Sequence, residues 1–147
     1  MTPDVNVLVA AYRSDHPHHA KASAWLCETR EACARGSTSL RLLPMVLVGF
    51  LRVVTNRRVY RTPDPIEDAV AFVESLLESP GVEIACPACE WPLLREKLLG
   101  HGLAGNLVAD AWIASSVQSL GEHLVTFDGD FRRLLPGRDL SLLAAHG

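Results

Sequence analysis

No apolar stretch in this 147-residue chain comes near the roughly 20 residues that a membrane-spanning helix needs. No secretory leader is expected either, because an acid stands at Asp4 where a basic region followed by an apolar run would be looked for. The expected location is therefore the cytoplasm. Positive charge is scarce: the formal net charge is −3 and the isoelectric point lies near 6.0. No global basic field draws nucleic acid, so any polyanion must be held by local arginines. Repeats and low-complexity segments are absent. With 48% hydrophobic residues the chain can bury a full core without staples, and a single domain over 1–147 is expected.

Cysteine is sparse too. Cys27, Cys33, Cys86 and Cys89 are expected to be reduced in a cytoplasmic setting. Cys86-Pro87-Ala88-Cys89 has the C-x-x-C spacing of a redox pair or of half a zinc site. A zinc site needs two further ligands, and none of His16, His18, His19, His101, His123 and His146 offers a matching pair. The pattern reads as two semi-buried thiols at a loop-to-helix junction. His16-Pro17-His18-His19 has no carboxylate at a fixed offset either, and reads as a solvated loop and cap.

What the chain does have is alternation. Apolar residues at helical spacing, with Pro, Gly and Asn punctuation, predict helices over 5–13, 18–33, 45–56, 66–77, 89–99 and 106–120. Short apolar runs predict strands over 37–43, 82–85, 124–126 and 140–143, with a short helical piece through 131–134. The run from Met45 to Asn56 is rich in β-branched residues, but its length after Pro44 and its close in Asn56-Arg57-Arg58 favour a buried helix. Strands alternating with helices imply an α/β fold with a parallel sheet, helices on both faces and right-handed crossovers. Asn6 is placed to help cap the first helix. Arg52 lies among apolar residues and either pairs with a carboxylate or contacts phosphate. Arg57, Arg58 and Arg61 form the densest basic patch, either a solvated loop or a rim for a polyanion.

The chemistry gathers at acids. Leu124-Val125-Thr126 runs straight into Asp128-Gly129-Asp130, two carboxylates where a buried strand ends. Asp110 opens a helix on the same side as Leu107, Ala111, Ala114 and Val117, which points it inward, and Asp4 follows the first strand candidate. Taken singly, each has a structural explanation as a dipole partner or a turn residue. Taken together, Asp4, Asp110 and Asp128, with Asp130 close by, repel one another at the strand ends of an open α/β sheet unless a cation neutralises them. Oxygen-only ligands suit Mg²⁺ or Mn²⁺ held largely through water, and such a site can neutralise a phosphodiester and activate water in line.

Asp4-Val5-Asn6-Val7-Leu8, Asn106-Leu107-Val108-Ala109-Asp110-Ala111 and Thr126-Phe127-Asp128-Gly129-Asp130-Phe131 resemble the ordered motifs of PIN-domain ribonucleases. The resemblance spans essentially the whole chain and is nearest to the VapC-type toxins of type II toxin–antitoxin modules, particularly the mycobacterial branch. It implies a three-layer α/β/α PIN-like fold with a mainly parallel central sheet of four to five strands. It further implies a Mg²⁺- or Mn²⁺-dependent endoribonuclease acting on structured RNA such as tRNA or rRNA, and a homodimer silenced by a small VapB-type antitoxin. By resemblance Asp4, Asp110 and Asp128 are metal or catalytic carboxylates, Asp130 is an accessory acid, and Asn6 and Thr126 are polar supports. Many members carry a glutamate where this chain has Gly49, which points to a single well-held metal. Only Met1-Thr2-Pro3 precede Asp4, so the first strand is expected to be a stub, since Pro3 cannot donate to a ladder. Two other readings compete: a catalytically weak module that binds its antitoxin and operator DNA, and a thiol oxidoreductase using Cys86 and Cys89.

Overall fold

The computed structural model describes residues 1–87 and 90–143. Among them the order is β1 Thr2–Pro3, α1 Val5–Tyr12, α2 His19–Ala34, β2 Leu40–Leu42, α3 Pro44–Val54, α4 Ile66–Leu77, β3 Val82–Ile84, α5 Trp91–His101, α6 Leu107–Leu120, β4 Leu124–Thr126 and β5 Leu140–Leu142. Two 3-10 turns, Gly129–Arg133 and Gly137–Asp139, lie between the last two strands. Helix α4 and strand β4 fall where periodicity puts them. The β-branched run is a helix, with Pro44 in its first turn and Val46, Leu47, Phe50 and Val54 buried.

Every paired strand is parallel, in the hydrogen-bonded sets β1-β4-β5 and β2-β3. The two sets meet at β1, where the Arg41 N–H donates to the Met1 carbonyl at 2.9 Å. The sheet therefore runs β3-β2-β1-β4-β5, and Pro3 explains its seam. Thr2 and Asp4 both donate toward the β4 side, to His123 O at 2.8 Å and Val125 O at 2.9 Å. Alternation turns the intervening Pro3 toward β2, and proline has no N–H to give there. The strand is the expected stub of two residues. Asp4 is nonetheless pinned, because its own N–H completes the pairing with β4.

Helix α1 packs on α2 and α3, α3 on α4, and α5 on α6. Tyr12, Phe50 and Phe72 tie α1, α3 and α4 together, with ring centroids 5.1 to 5.5 Å apart. Gly102 and Gly121 close α5 and α6 at φ of 60° and 63°, the left-handed conformation that stops a helix. Strand order turns outward in both directions from β1, so the crevice beyond β1 and β4 is where such a sheet builds its site. No helix among the described residues is long and apolar enough to cross a membrane.

Candidate active site

Asp4 leaves the end of β1 and is the N-cap of α1, its Oδ1 accepting from the Val5 N–H at 2.7 Å. This replaces the cap expected from Asn6, which is used otherwise. Asn6 Nδ2 donates to Asp4 Oδ2 at 2.8 Å and to Thr126 Oγ1 at 3.0 Å, while its Oδ1 accepts from the Phe127 N–H at 3.2 Å. Thr126 gives its single proton to Asp4 Oδ2 at 2.6 Å, and its oxygen accepts from the Asp128 N–H at 3.0 Å. The network stitches the end of β1 to the end of β4 and leaves Asp4 only 5% exposed. Burial, opposed by the Thr126 and Val5 hydrogen bonds and reinforced by Asp110 and Asp128, pushes the Asp4 carboxyl up to about 6.

Asp110 sits in the first turn of α6 and is half-buried, as the inward helix face requires. Burial first, then Asp128 and Asp130, raise its pKa above the ordinary carboxylate value. Asp128 caps the 3-10 turn through Oδ1, which accepts from the Asp130 N–H at 2.8 Å. Asp4, Asp110 and Asp128 all line one open cleft of about 970 Å³. Asp130 is exposed and outside the lining, although its charge reaches Asp110. No ion pair compensates any of these four acids among the described residues.

The oxygen-only donors, the shared cleft and the uncompensated charge fit a hard divalent cation. The fit is loose in one respect. No three His, Cys, Asp or Glu side chains among the described residues stand close enough to hold an ion by themselves, so water or substrate oxygens must complete the shell.

Arg52 is exposed on the same cleft and makes no ion pair among the described residues. Arg57, Arg58 and Arg61 are exposed beyond α3 and do not line the cleft. Tyr60 of the same loop does, under the Arg13 guanidinium, 3.8 Å above its ring. Arg13 ties this loop to the α1–α2 turn, pairing with Asp64 at 2.5 Å on one side and with Asp15 at 2.8 Å on the other. Gly49 also lines the cleft, and a Cβ there would lie 2.7 Å from Val5 Cγ2, so a side chain at this position requires the Val5 side chain to move. Cys86 is exposed, and Cys89 lies outside the described residues, as does any pairing between them.

His16, Tyr60 and Val5 are among the cleft residues that the sequence reading does not assign to the site. His16 was expected in a solvated loop. A tyrosine beside an arginine patch was a signal available for Tyr60; nothing local marks Val5, whose role depends on a glycine two helices away.

The model of the PIN domain matches residues 1–134. The chain belongs to the PIN-domain family. Within it, the chain is 33% identical over 138 residues to Ribonuclease VapC25 of Mycobacterium tuberculosis, covering 93% of this chain and 94% of that protein. It is 36% identical over 131 residues to Ribonuclease VapC43 of the same organism, covering 88% and 86%. Among solved structures, the VapBC2 complex of Rickettsia felis bound to a promoter DNA fragment superposes with a TM-score of 0.65 over 96% of both chains at 20% identity, a likeness of fold.

Proposed function

We propose that this chain, read as one PIN-like unit over 1–147, is a Mg²⁺- or Mn²⁺-dependent endoribonuclease of the VapC type. It is the toxin of a type II toxin–antitoxin pair, hydrolysing phosphodiester bonds in structured RNA such as tRNA or rRNA. The observation that carries the reading is the cleft lined by Asp4, Asp110 and Asp128, none of them in an ion pair among the described residues. The relatives named as VapC ribonucleases at one-third identity over nearly the whole chain support the class.

A bound divalent ion supplies charge neutralisation at the phosphate and a more acidic attacking water. The chain supplies the rest. Val5, Asn6 and Thr126 hold Asp4 by three hydrogen bonds, leaving about one of its four acceptor positions for the ion. Asp110 and Asp128 approach from α6 and the turn after β4, and Arg52 meets the phosphate backbone at the rim. Arg57 and Arg58 extend the cationic surface beyond it. Asp130 acts as an accessory acid through Asp110 and Asp128. The partners are a small VapB-type antitoxin and a second copy of this chain, in the cytoplasm.

One observation favours a second reading. A Cβ at Gly49 would crowd the Val5 side chain at 2.7 Å, which disfavours a further acid there and suits a weakly catalytic module whose task is to bind its antitoxin and operator DNA. A single experiment separates them. Purified protein should cut tRNA or rRNA with Mg²⁺ or Mn²⁺, stop with chelator, and lose cleavage on Asp4→Asn while staying folded. Cleavage that survives Asp4→Asn would refer the activity to another site. Binding of antitoxin with no cleavage in either metal would select the second reading.

A further inference from the structure

His16 reaches the cleft by a route that sequence spacing does not announce. It belongs to the turn between α1 and α2, yet it lines the cavity with Asp4 and Asp128. A row of rings carries it there. Phe127, next to Asp128, stacks on His18 with centroids 4.7 Å apart and planes 18° apart, and the His18 ring lies 5.6 Å from that of His16. His19 is engaged elsewhere, its Nδ1 lying 2.9 Å from the Ala10 carbonyl.

The two ring nitrogens of His16 are not equivalent. Nδ1 accepts a hydrogen bond from the His18 backbone N–H at 3.1 Å. A nitrogen that accepts does not carry the proton, so the neutral ring bears it on Nε2. Nε2 has no protein partner among the described residues. Burial, and next the His18 ring, hold the imidazole below the usual histidine range, and charging it would also break the Nδ1 bond. The ring thus offers the cleft a neutral donor. Neutrality matters in the cleft that His16 shares with Asp4 and Asp128, since an imidazolium there would be drawn toward the carboxylates and compete with a cation for them.

We propose that His16 is a further catalytic residue of this cleft, its Nε2–H donating to a non-bridging oxygen of the phosphodiester that the carboxylates receive. The assignment rests on the ribonuclease reading above. No proton is transferred; the bond orients the phosphate and strengthens as negative charge grows on its oxygens in the transition state.

Two substitutions divide the roles of the ring. His16→Asn keeps an acceptor near Nδ1 for the His18 N–H and deletes the Nε2 donor; His16→Gln places an amide donor near Nε2 and deletes the Nδ1 acceptor. Expected are a loss of roughly 10- to 100-fold in the single-turnover rate for His16→Asn at an unchanged Tm, and recovery of most of that rate in His16→Gln. Long-range proton–nitrogen NMR of the wild type should show the Nε2–H tautomer, with its signal shifting when a phosphorothioate RNA is added to Asp110→Asn protein. Full activity in His16→Asn, or a proton on Nδ1, overturns the proposal and leaves the nuclease reading standing. Should His16→Asn fail to fold, an inactive but folded His16→Gln overturns it equally. Wild-type protein that cuts no RNA removes both.

Discussion

On the sheet side of the cleft Asp4 is buried and accepts three hydrogen bonds, whereas on the helix side Asp110 is half-buried and accepts none among the described residues. The two acids share a cavity and a raised pKa, so the contrast isolates how each is held. Asp4 owes its position to the folded state: its carboxylate caps α1 and accepts from Asn6 and Thr126, while its backbone N–H pairs with β4. Asp110 owes its position only to the rotation of α6 and gives nothing back to the fold. A site built this way has one fixed wall, set before any ligand arrives, and one wall able to adjust to water-filled coordination.

The contrast breaks if Asp110 proves structural, and the corresponding test has the largest expected effect. Asp110→Asn should lower cleavage by about a thousandfold or more, as removal of a group acting only in the transition state does, while the Tm stays level or rises because a repelled charge is gone. Thr126→Val should do the reverse in kind. It deletes the 2.6 Å donor to Asp4 and leaves the Asp128 N–H without its acceptor, at a cost of about 1–3 kcal/mol in stability with a smaller loss of rate. Urea unfolding and single-turnover cleavage of both variants check the pair. A Tm collapse in Asp110→Asn would erase the distinction between the walls.

The fixed wall also predicts a pH dependence of opposite sign to that of a salt-bridged acid. Asp4 has an ordinary value of 3.8 and a folded value of about 6, so between them the folded protein keeps a proton that the unfolded chain releases. Stability contributed by Asp4 is greatest below the lower value and falls as pH rises toward the upper one, by about 3 kcal/mol in all, after which it is flat. A divalent cation relieves that penalty. The Tm gain from millimolar Mg²⁺ should therefore be near zero at about pH 4 and reach several degrees above about pH 7. A gain independent of pH would show that the ion does not meet Asp4.

Much of this arrangement can be read from residue order, and the limits of that reading are physical. Ile66–Leu77 and Leu124–Thr126 are bounded by proline, glycine and polar residues that act locally, so their ends are visible in the chain. The convergence of Asp4, Asp110 and Asp128 follows from parallel topology, which alternation of elements implies. Distances between distant side chains are another matter. That Asp4 caps its own helix and frees Asn6 for Thr126 depends on which strand lies beside β1. That Arg52 has no carboxylate partner among the described residues, and that Phe127 stacks on His18, whose ring neighbours His16, depends on packing across elements far apart in sequence. Pro3 was legible as a weak donor in a ladder, but the seam it makes between β1 and β2 needed the strand order.

The smallest expected effect sharpens the comparison by trying to add an acid beside the fixed wall. Gly49→Glu inserts a Cβ 2.7 Å from Val5 Cγ2, next to the residue whose backbone N–H donates to Asp4. Overpacking of this kind costs about 1–3 kcal/mol. Val5→Ala removes the clashing methyl groups while keeping the backbone N–H, so the double variant should recover most of that loss and bind Mn²⁺ more tightly than either single variant. The coupling is read as the non-additivity of the two substitutions in urea unfolding, and metal affinity by calorimetry. If Gly49→Glu alone is as stable as wild type, α1 and α3 have room to spare. The glycine would then be only a missing ligand, and the rigidity ascribed to the Asp4 wall would not extend to its neighbour.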